Sequence, residues 1–101
     1  MDPILLFVVE DRFNISGRGC VLVPGIPPEP GLPTVHVGDS IRLVKPDGDV
    51  IDTKIHGVEM INYRGRPPER ITVPISVSRP LSASDVPVGT QVFYIGARNG
   101  S

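Results

Sequence analysis

The chain has 101 residues, a net charge of −1 and 40% apolar residues, enough for one domain with a modest core. The near-neutral charge excludes a general polyanion binder, because bulk electrostatics drive non-specific affinity for nucleic acid. The single cysteine, Cys20, excludes an internal disulfide and suits a reducing cytosol. Twelve prolines and eleven glycines, scattered between short apolar runs, indicate short strands and exclude long helices.

The apolar opening at residues 4–9 lacks the features of a targeting signal. No basic residue precedes it, and the run is shorter than the apolar region of a signal peptide. A transmembrane helix would need about 20 apolar residues. We therefore expect a soluble, cytoplasmic protein with no membrane partner.

The first half of the chain predicts two hairpins. Residues 4–13 and 18–26 are predicted to pair around an Asn-Ile-Ser-Gly turn, in which glycine can adopt positive φ. A proline-rich connector at 27–34 leads to a strand at Ser40–Val44. The sequence Lys-Pro-Asp-Gly-Asp at 45–49 predicts a turn, because proline sets φ and Asp-Gly supplies the positive-φ position.

The second half of the chain predicts further strands. Residues 50–63 indicate a long strand bent near Gly57, and residues 64–69 indicate a loop. Apolar and polar residues alternate over 70–78, which predicts a strand with one buried face.

The last predicted strand covers residues 90–95 and follows an irregular link at 79–89. The total is about six strands joined by turns, with no helical period, which predicts an antiparallel barrel or sandwich. Closure into a barrel would remove the edges through which a small sheet aggregates.

Four motifs in chain order resemble domain 2 of translation elongation factor Tu. They stand at near-family spacing and read FVVEDRFNISGRGCV (7–21), VHVGDSI (35–41), KIHGVEM (54–60) and DVPVGTQV (85–92). The first and third are the more specific. The resemblance implies a six-stranded antiparallel Greek-key β-barrel of the translation-GTPase type, in agreement with the strand pattern. It implies a single domain over 1–101, with its core at 4–96 and a frayed tail at 97–101.

The GTPase domain that precedes this barrel in the family has no counterpart in the sequence. No G-x-x-x-x-G-K-[ST] pattern occurs, and 101 residues leave no room for a nucleotide-binding fold beside a barrel. We expect no nucleotide cofactor. The chain is either a stand-alone relative of the module or a piece of a longer chain, and Met1 with the complete motif set favours the former.

The resemblance also implies a candidate site. In elongation factor Tu this barrel holds the aminoacylated 3′ end of tRNA. Matched motif by motif, its pocket corresponds to Glu10, Asp11, Ile15, Val21 and Glu59. These residues are the candidate ligand or RNA-end groove. A structural interpretation stays open, in which the two acids mark a strand end and Ile15 and Val21 belong to the core.

The sequence departs from the family over residues 62–80. Asn62 stands where the family has a basic residue, and prolines and arginines are added after it. The most basic local group lies here and consists of Tyr63, Arg64, Arg66 and Arg70. Tyrosine and arginine are favoured anchors in protein interfaces, and they also suit stacking on single-stranded nucleic acid. This loop is the candidate partner contact.

These observations favour a non-catalytic, monomeric module that binds a protein partner. The alternative is an RNA-binding module, directed to a tRNA 3′ end or the ribosome, that keeps part of the family pocket. We expect no enzyme, because Glu10 and Asp11 are neighbours on a strand and point to opposite faces unless a bulge intervenes. Neither histidine has metal-ligand spacing, so we expect no metal and no cofactor.

Overall fold

The computed structural model describes residues 3–17, 19–59, 71–78 and 81–96. In these residues the chain is all-β, apart from one 3₁₀ turn at Ala83–Asp85. They contain no helix long and apolar enough to cross a membrane. The strands are β1 (Ile4–Val8), β2 (Asp11–Ile15), β3 (Gly19–Ile26), β4 (Ser40–Val44), β5 (Val50–Val58), β6 (Val73–Val77) and β7 (Gln91–Gly96).

The seven strands form one curled sheet in the order β1-β7-β4-β5-β6-β3-β2. Every neighbouring pair is antiparallel. The strands at the two ends of this order, β1 and β2, are consecutive in the chain. The first segment of the chain therefore connects both ends of the sheet. The predicted all-β antiparallel class is confirmed, whereas the prediction of one strand over 4–13 is wrong, because two strands cover it.

The break between β1 and β2 is a change of pairing partner. Val9 still donates its backbone N–H to the carbonyl oxygen of Thr90 (2.8 Å), on the β7 side. The next residue, Glu10, donates its backbone N–H to the carbonyl oxygen of Val23 (2.8 Å), and Asp11 is also in register with Val23. Two residues thus oppose one, which is a β-bulge, and bulges bend the strand that carries them.

The core lies on the concave side of the curled sheet and is almost entirely aliphatic. Burial of such side chains contributes roughly 1.5–3 kcal/mol each. Fully or nearly fully buried are Leu6, Val9, Cys20, Leu22, Ile41, Leu43, Ile55, Ile75, Val77, Val86 and Val92. On β4 the alternation places Ile41 and Leu43 inward, and the strand has the predicted bounds.

The strand β6 differs from the prediction in its burial. Alternation predicted one buried face, but Pro74 and Ser76 are buried as well as Ile75 and Val77. The reason is the position of β6 between β3 and β5, where both neighbours flank its outward side chains. Alternation in a sequence indicates which face of a strand is polar, but it does not indicate whether neighbouring strands bury that face.

Candidate functional site

The outward surface of β2, β3, β6 and β5 carries four of the five residues assigned to the pocket by resemblance. Directly opposed residues of an antiparallel pair place their side chains on the same face. Phe13 opposes Val21, and Ile15 opposes Gly19. Val21 in turn opposes Ser76 across the next pair. Because the alternate residues of these strands fill the core, this row faces outward.

Glu59 joins this surface from the end of β5. Its backbone N–H donates to the carbonyl oxygen of Pro74 (2.8 Å). A methyl group placed on Gly57 would lie 2.8 Å from Ser76 Oγ and 3.1 Å from Glu59 Oε2. Glycine at 57 therefore leaves a notch that admits both oxygens, beside Val21. We call the surface formed by Asp11, Phe13, Ile15, Val21, Ser76 and Glu59 the outer face.

Exposure on the outer face is uneven. Val21 is only 5% exposed and forms part of the floor, whereas Phe13 and Ile15 are 49% and 42% exposed. Phe13 was not among the predicted site residues. A signal for it exists, since Asp11, Phe13 and Ile15 alternate with Arg12 and Asn14 along β2.

The two acids of the first motif take different positions. Asp11 lies in register with Val23 at the start of the outer face, and its Oδ1 accepts the backbone N–H of Arg12 (2.8 Å). Glu10 is exposed and lines a separate depression beside β1. A bulge was the one feature that could bring the side chains of these adjacent acids to the same face. The bulge is present, but the two carboxylates border different surfaces.

Arg12 is turned away from the outer face. Its Nε donates to the carbonyl oxygens of Ala83 (3.1 Å) and Val86 (2.9 Å), in the link before β7. Asn14 Oδ1 accepts the backbone N–H of Ala83 (2.9 Å) at the same place. The described outer face has acidic side chains at Asp11 and Glu59, and Arg12 Nη1 lies 4.0 Å from Asp11 Oδ1.

An open groove of about 690 Å³ adjoins the outer face at the β2–β3 turn. Its lining includes Ile15, Gly17, Gly19, His56, Ser78 and Ser82, and no acidic side chain of the described residues. Gly19 is required for its shape, because a Cβ on this residue would collide with the carbonyl oxygen of Val77. The two glycines have positive φ, 80° at Gly17 and 83° at Gly19, so both serve the geometry of the hairpin turn.

The predicted partner-contact loop, Tyr63, Arg64, Arg66 and Arg70, lies outside the described residues. Among the residues that are described, no group of three or more His, Cys, Asp or Glu side chains could hold a metal ion.

The sequence matches no protein-family model, and no solved structure matches the chain.

Proposed function

We propose that the chain is a non-catalytic binding module whose outer face takes a protein partner. The observation that carries the proposal is the pair Phe13 and Ile15, about half exposed on β2, the terminal strand of the sheet. Contiguous exposed apolar side chains mark interaction sites more often than isolated ones do. Aromatic residues are enriched at the centre of protein interfaces.

The charges of the outer face favour protein over RNA as the partner. RNA affinity depends largely on phosphate contacts from lysine and arginine. The described outer face has carboxylates at Asp11 and Glu59, and Arg12 is engaged both by backbone carbonyls and by the carboxylate of Asp11. Such a surface offers phosphate groups less than a surface rich in lysine and arginine would.

We further propose that the fold is the six-stranded Greek-key barrel of elongation factor Tu domain 2. The support is the position of β1 and β2, which are consecutive in the chain and stand at opposite ends of the sheet order. If β1 and β2 are counted as one bent strand, the seven described strands become six, the number that the resemblance implies.

The proposal is tested by co-purification from the native cytosol, with RNase-treated and untreated halves compared. A protein retained at stoichiometric level in both halves supports it. Recovery of only abundant, non-specific proteins would contradict it.

A second candidate, RNA binding, has one observation in its favour. The groove beside Ile15 has hydroxyl groups and His56 in its lining and no described carboxylate. Its volume falls in the range of small-ligand pockets, about 300–1,000 Å³. A gel shift with tRNA at low salt tests this candidate, because low salt strengthens any phosphate contribution. An RNA site in the groove predicts a shift that weakens in Ile15→Ser, and no shift at low salt would reject it.

A further inference from the structure

A groove of about 500 Å³ runs beside β1, the strand at the other end of the sheet from β2. Four consecutive residues of β1, at 5–8, line it together with Pro24, Pro27 and Leu32. Side chains of consecutive strand residues point to opposite faces. A groove that touches all four residues therefore lies along the edge of the strand and not on one of its faces. We call it the β1 groove.

The edge of β1 that borders this groove is not used by the sheet. Among the described strands only β7 pairs with β1. Val9 directs its backbone to the β7 side: its N–H donates to the carbonyl oxygen of Thr90, and its carbonyl oxygen accepts the N–H of Gly89 (each 2.8 Å). Backbone groups of neighbouring strand residues point to opposite edges, so the N–H and C=O of Val8 are directed into the β1 groove. The register shift of β1 precedes Phe7 and leaves this alternation intact.

The opposite side of the groove does not offer the backbone groups of a regular strand. Pro24 and Pro27 line it and have no N–H to donate. Gly25 between them has a positive φ of 99° and lies tightly against the backbone of Val73 and Pro74. The segment at 24–27 is therefore poorly suited to pair with β1.

The two terminal strands of the sheet differ in how their edges are protected. On β2, Asp11 Oδ1 accepts the backbone N–H of Arg12, and the side chains of Arg12 and Asn14 bind the backbone of Ala83. The five residues of β1, Ile4–Val8, are all apolar. Charged residues and proline are what usually keep an edge strand from pairing with another chain, and an apolar edge without them accepts an added strand.

We propose that the β1 groove takes an extended segment of a protein partner, which adds to the sheet as a strand beside β1. The backbone groups of Val8 indicate this occupant, because a strand supplies a C=O and an N–H at the spacing at which Val8 offers its own pair. Leu5 and Val8, 42% and 41% exposed, favour apolar or β-branched side chains next to them. A bare segment fits beside β1 better than a second copy of the chain, whose own β1 is flanked by its own residues 24–32. The inference rests on the proposed function for the existence of a protein partner, and it assigns that partner a second contact.

The test is an NMR titration of the ¹⁵N-labelled full chain with two capped peptides. One peptide contains Val-Thr-Val-Thr-Val between glycines, and its twin has the same side chains with N-methyl groups on the three central amides. We expect the first peptide to shift the amide signals of Leu5, Val8 and Leu32. The twin should bind at least about tenfold more weakly, because N-methylation removes the donors of both peptide edges.

Amide hydrogen exchange gives a readout that side-chain packing alone would not change. The bound peptide should slow exchange of the Val8 N–H at least about threefold, whereas the Val9 N–H, already bonded to Thr90, should exchange as before.

Variants of the protein locate the same contact. Val8→Pro removes the donor at an edge position, where proline is tolerated, and should weaken the peptide about tenfold. Val8→Ala keeps the donor and should weaken the peptide no more than about threefold. Val50→Ala changes an exposed apolar residue elsewhere and should leave the affinity unchanged. The ¹⁵N spectrum reports whether each variant is folded, and the N-methylated twin tests the donors with no change to the protein.

Several results would overturn the inference: no binding of either peptide at about 1 mM, equal affinity for the two, or unchanged exchange at Val8. Signal shifts that depend on protein concentration alone would also overturn it, and would assign the groove to a second copy of the chain. The inference and the proposed function fail separately. If a protein co-purifies and is lost in Phe13→Ser while the peptide does not bind, only the inference fails. If the peptide pairs with Val8 as expected while no protein co-purifies, only the proposed function fails.

Discussion

Arg12 donates its Nε–H to the carbonyl oxygen of Val86 at 2.9 Å, and so ties β2 to the link that precedes β7. The same group reaches the carbonyl oxygen of Ala83 at 3.1 Å. Removing a partly buried donor leaves its acceptors poorly satisfied, so Arg12→Met should lower the free energy of unfolding by about 1–2 kcal/mol. Urea denaturation measures this loss. Arg42→Met is the control, since Arg42 pairs with Asp52 on the exposed surface, and it should cost clearly less. Equal losses in the two variants would contradict the role given to Arg12.

The hairpin turn allows a matched test of crowding. Gly17 and Gly19 have nearly equal positive φ, but a Cβ on Gly17 meets no atom within 4 Å, whereas one on Gly19 would collide with the Val77 carbonyl. Gly17→Ala should cost about 1–2 kcal/mol from backbone conformation alone. Gly19→Ala adds displacement of β6 and should cost roughly 3–5 kcal/mol. Chemical denaturation of both variants decides the point, and similar losses would show that the approach to Val77 is unimportant.

The local features of the fold could be predicted from the sequence because they depend on local chemistry. The turn at 45–49 forms as expected, with Gly48 donating to the carbonyl of Lys45 and Asp47 Oδ1 accepting the N–H of Asp49. The strand Ser40–Val44 follows from its alternation. The bulge at Glu10 could not be predicted, since it results from a competition between β7 and β3 for the same strand.

The candidate site was predictable only in part for a similar reason. Ile15 and Val21 reach one face through the register of their own hairpin, which sequence spacing suggests. Glu59 reaches it through β6, and the notch at Gly57 depends on Ser76 of that strand. The contacts of Arg12 join positions more than 70 residues apart, and no short-range pattern reveals such a pair.

Cys20 should make stability depend on alkaline pH. The side chain is fully buried, and burial raises the pKa of its thiol above the ordinary 9.0. The unfolded chain therefore loses this proton first as the pH rises. Below pH 9.0 the thiol is neutral in both states, and its contribution to the free energy of unfolding is complete. Between pH 9.0 and the higher pKa of the folded protein, the free energy of unfolding falls by at most about 1.4 kcal/mol per pH unit. The free energy of unfolding, measured by denaturation between pH 8 and 11, should fall less steeply with pH for Cys20→Ala than for the unaltered protein. Equal slopes for the two proteins would exclude the effect.

The exposed pair Arg42 and Asp52 should be visible in a titration. Arg42 Nε donates to Asp52 Oδ1 at 2.7 Å, and this hydrogen bond lowers the pKa of Asp52 below the ordinary 3.8. The pair therefore stabilises the fold above that pH and loses its effect as the pH falls through the lowered pKa. NMR titration should show the pKa of Asp52 returning toward 3.8 in Arg42→Gln. An unchanged midpoint would show that the pair is not formed in solution.

The most direct test of the account compares co-purified partners of two double variants after RNase treatment. Phe13→Ser with Ile15→Ser removes the exposed apolar pair of the outer face. Val37→Ser with Val50→Ser removes apolar residues of similar exposure, 52% and 54%, from elsewhere on the surface. We expect the amount of co-purified partner to fall at least about tenfold in the first variant, because truncating an interface residue of the most important kind costs more than about 1 kcal/mol of binding free energy. The second variant should retain the partner. Equal retention by both variants, or a partner that is RNA and disappears with RNase, would contradict a protein-binding role for the outer face.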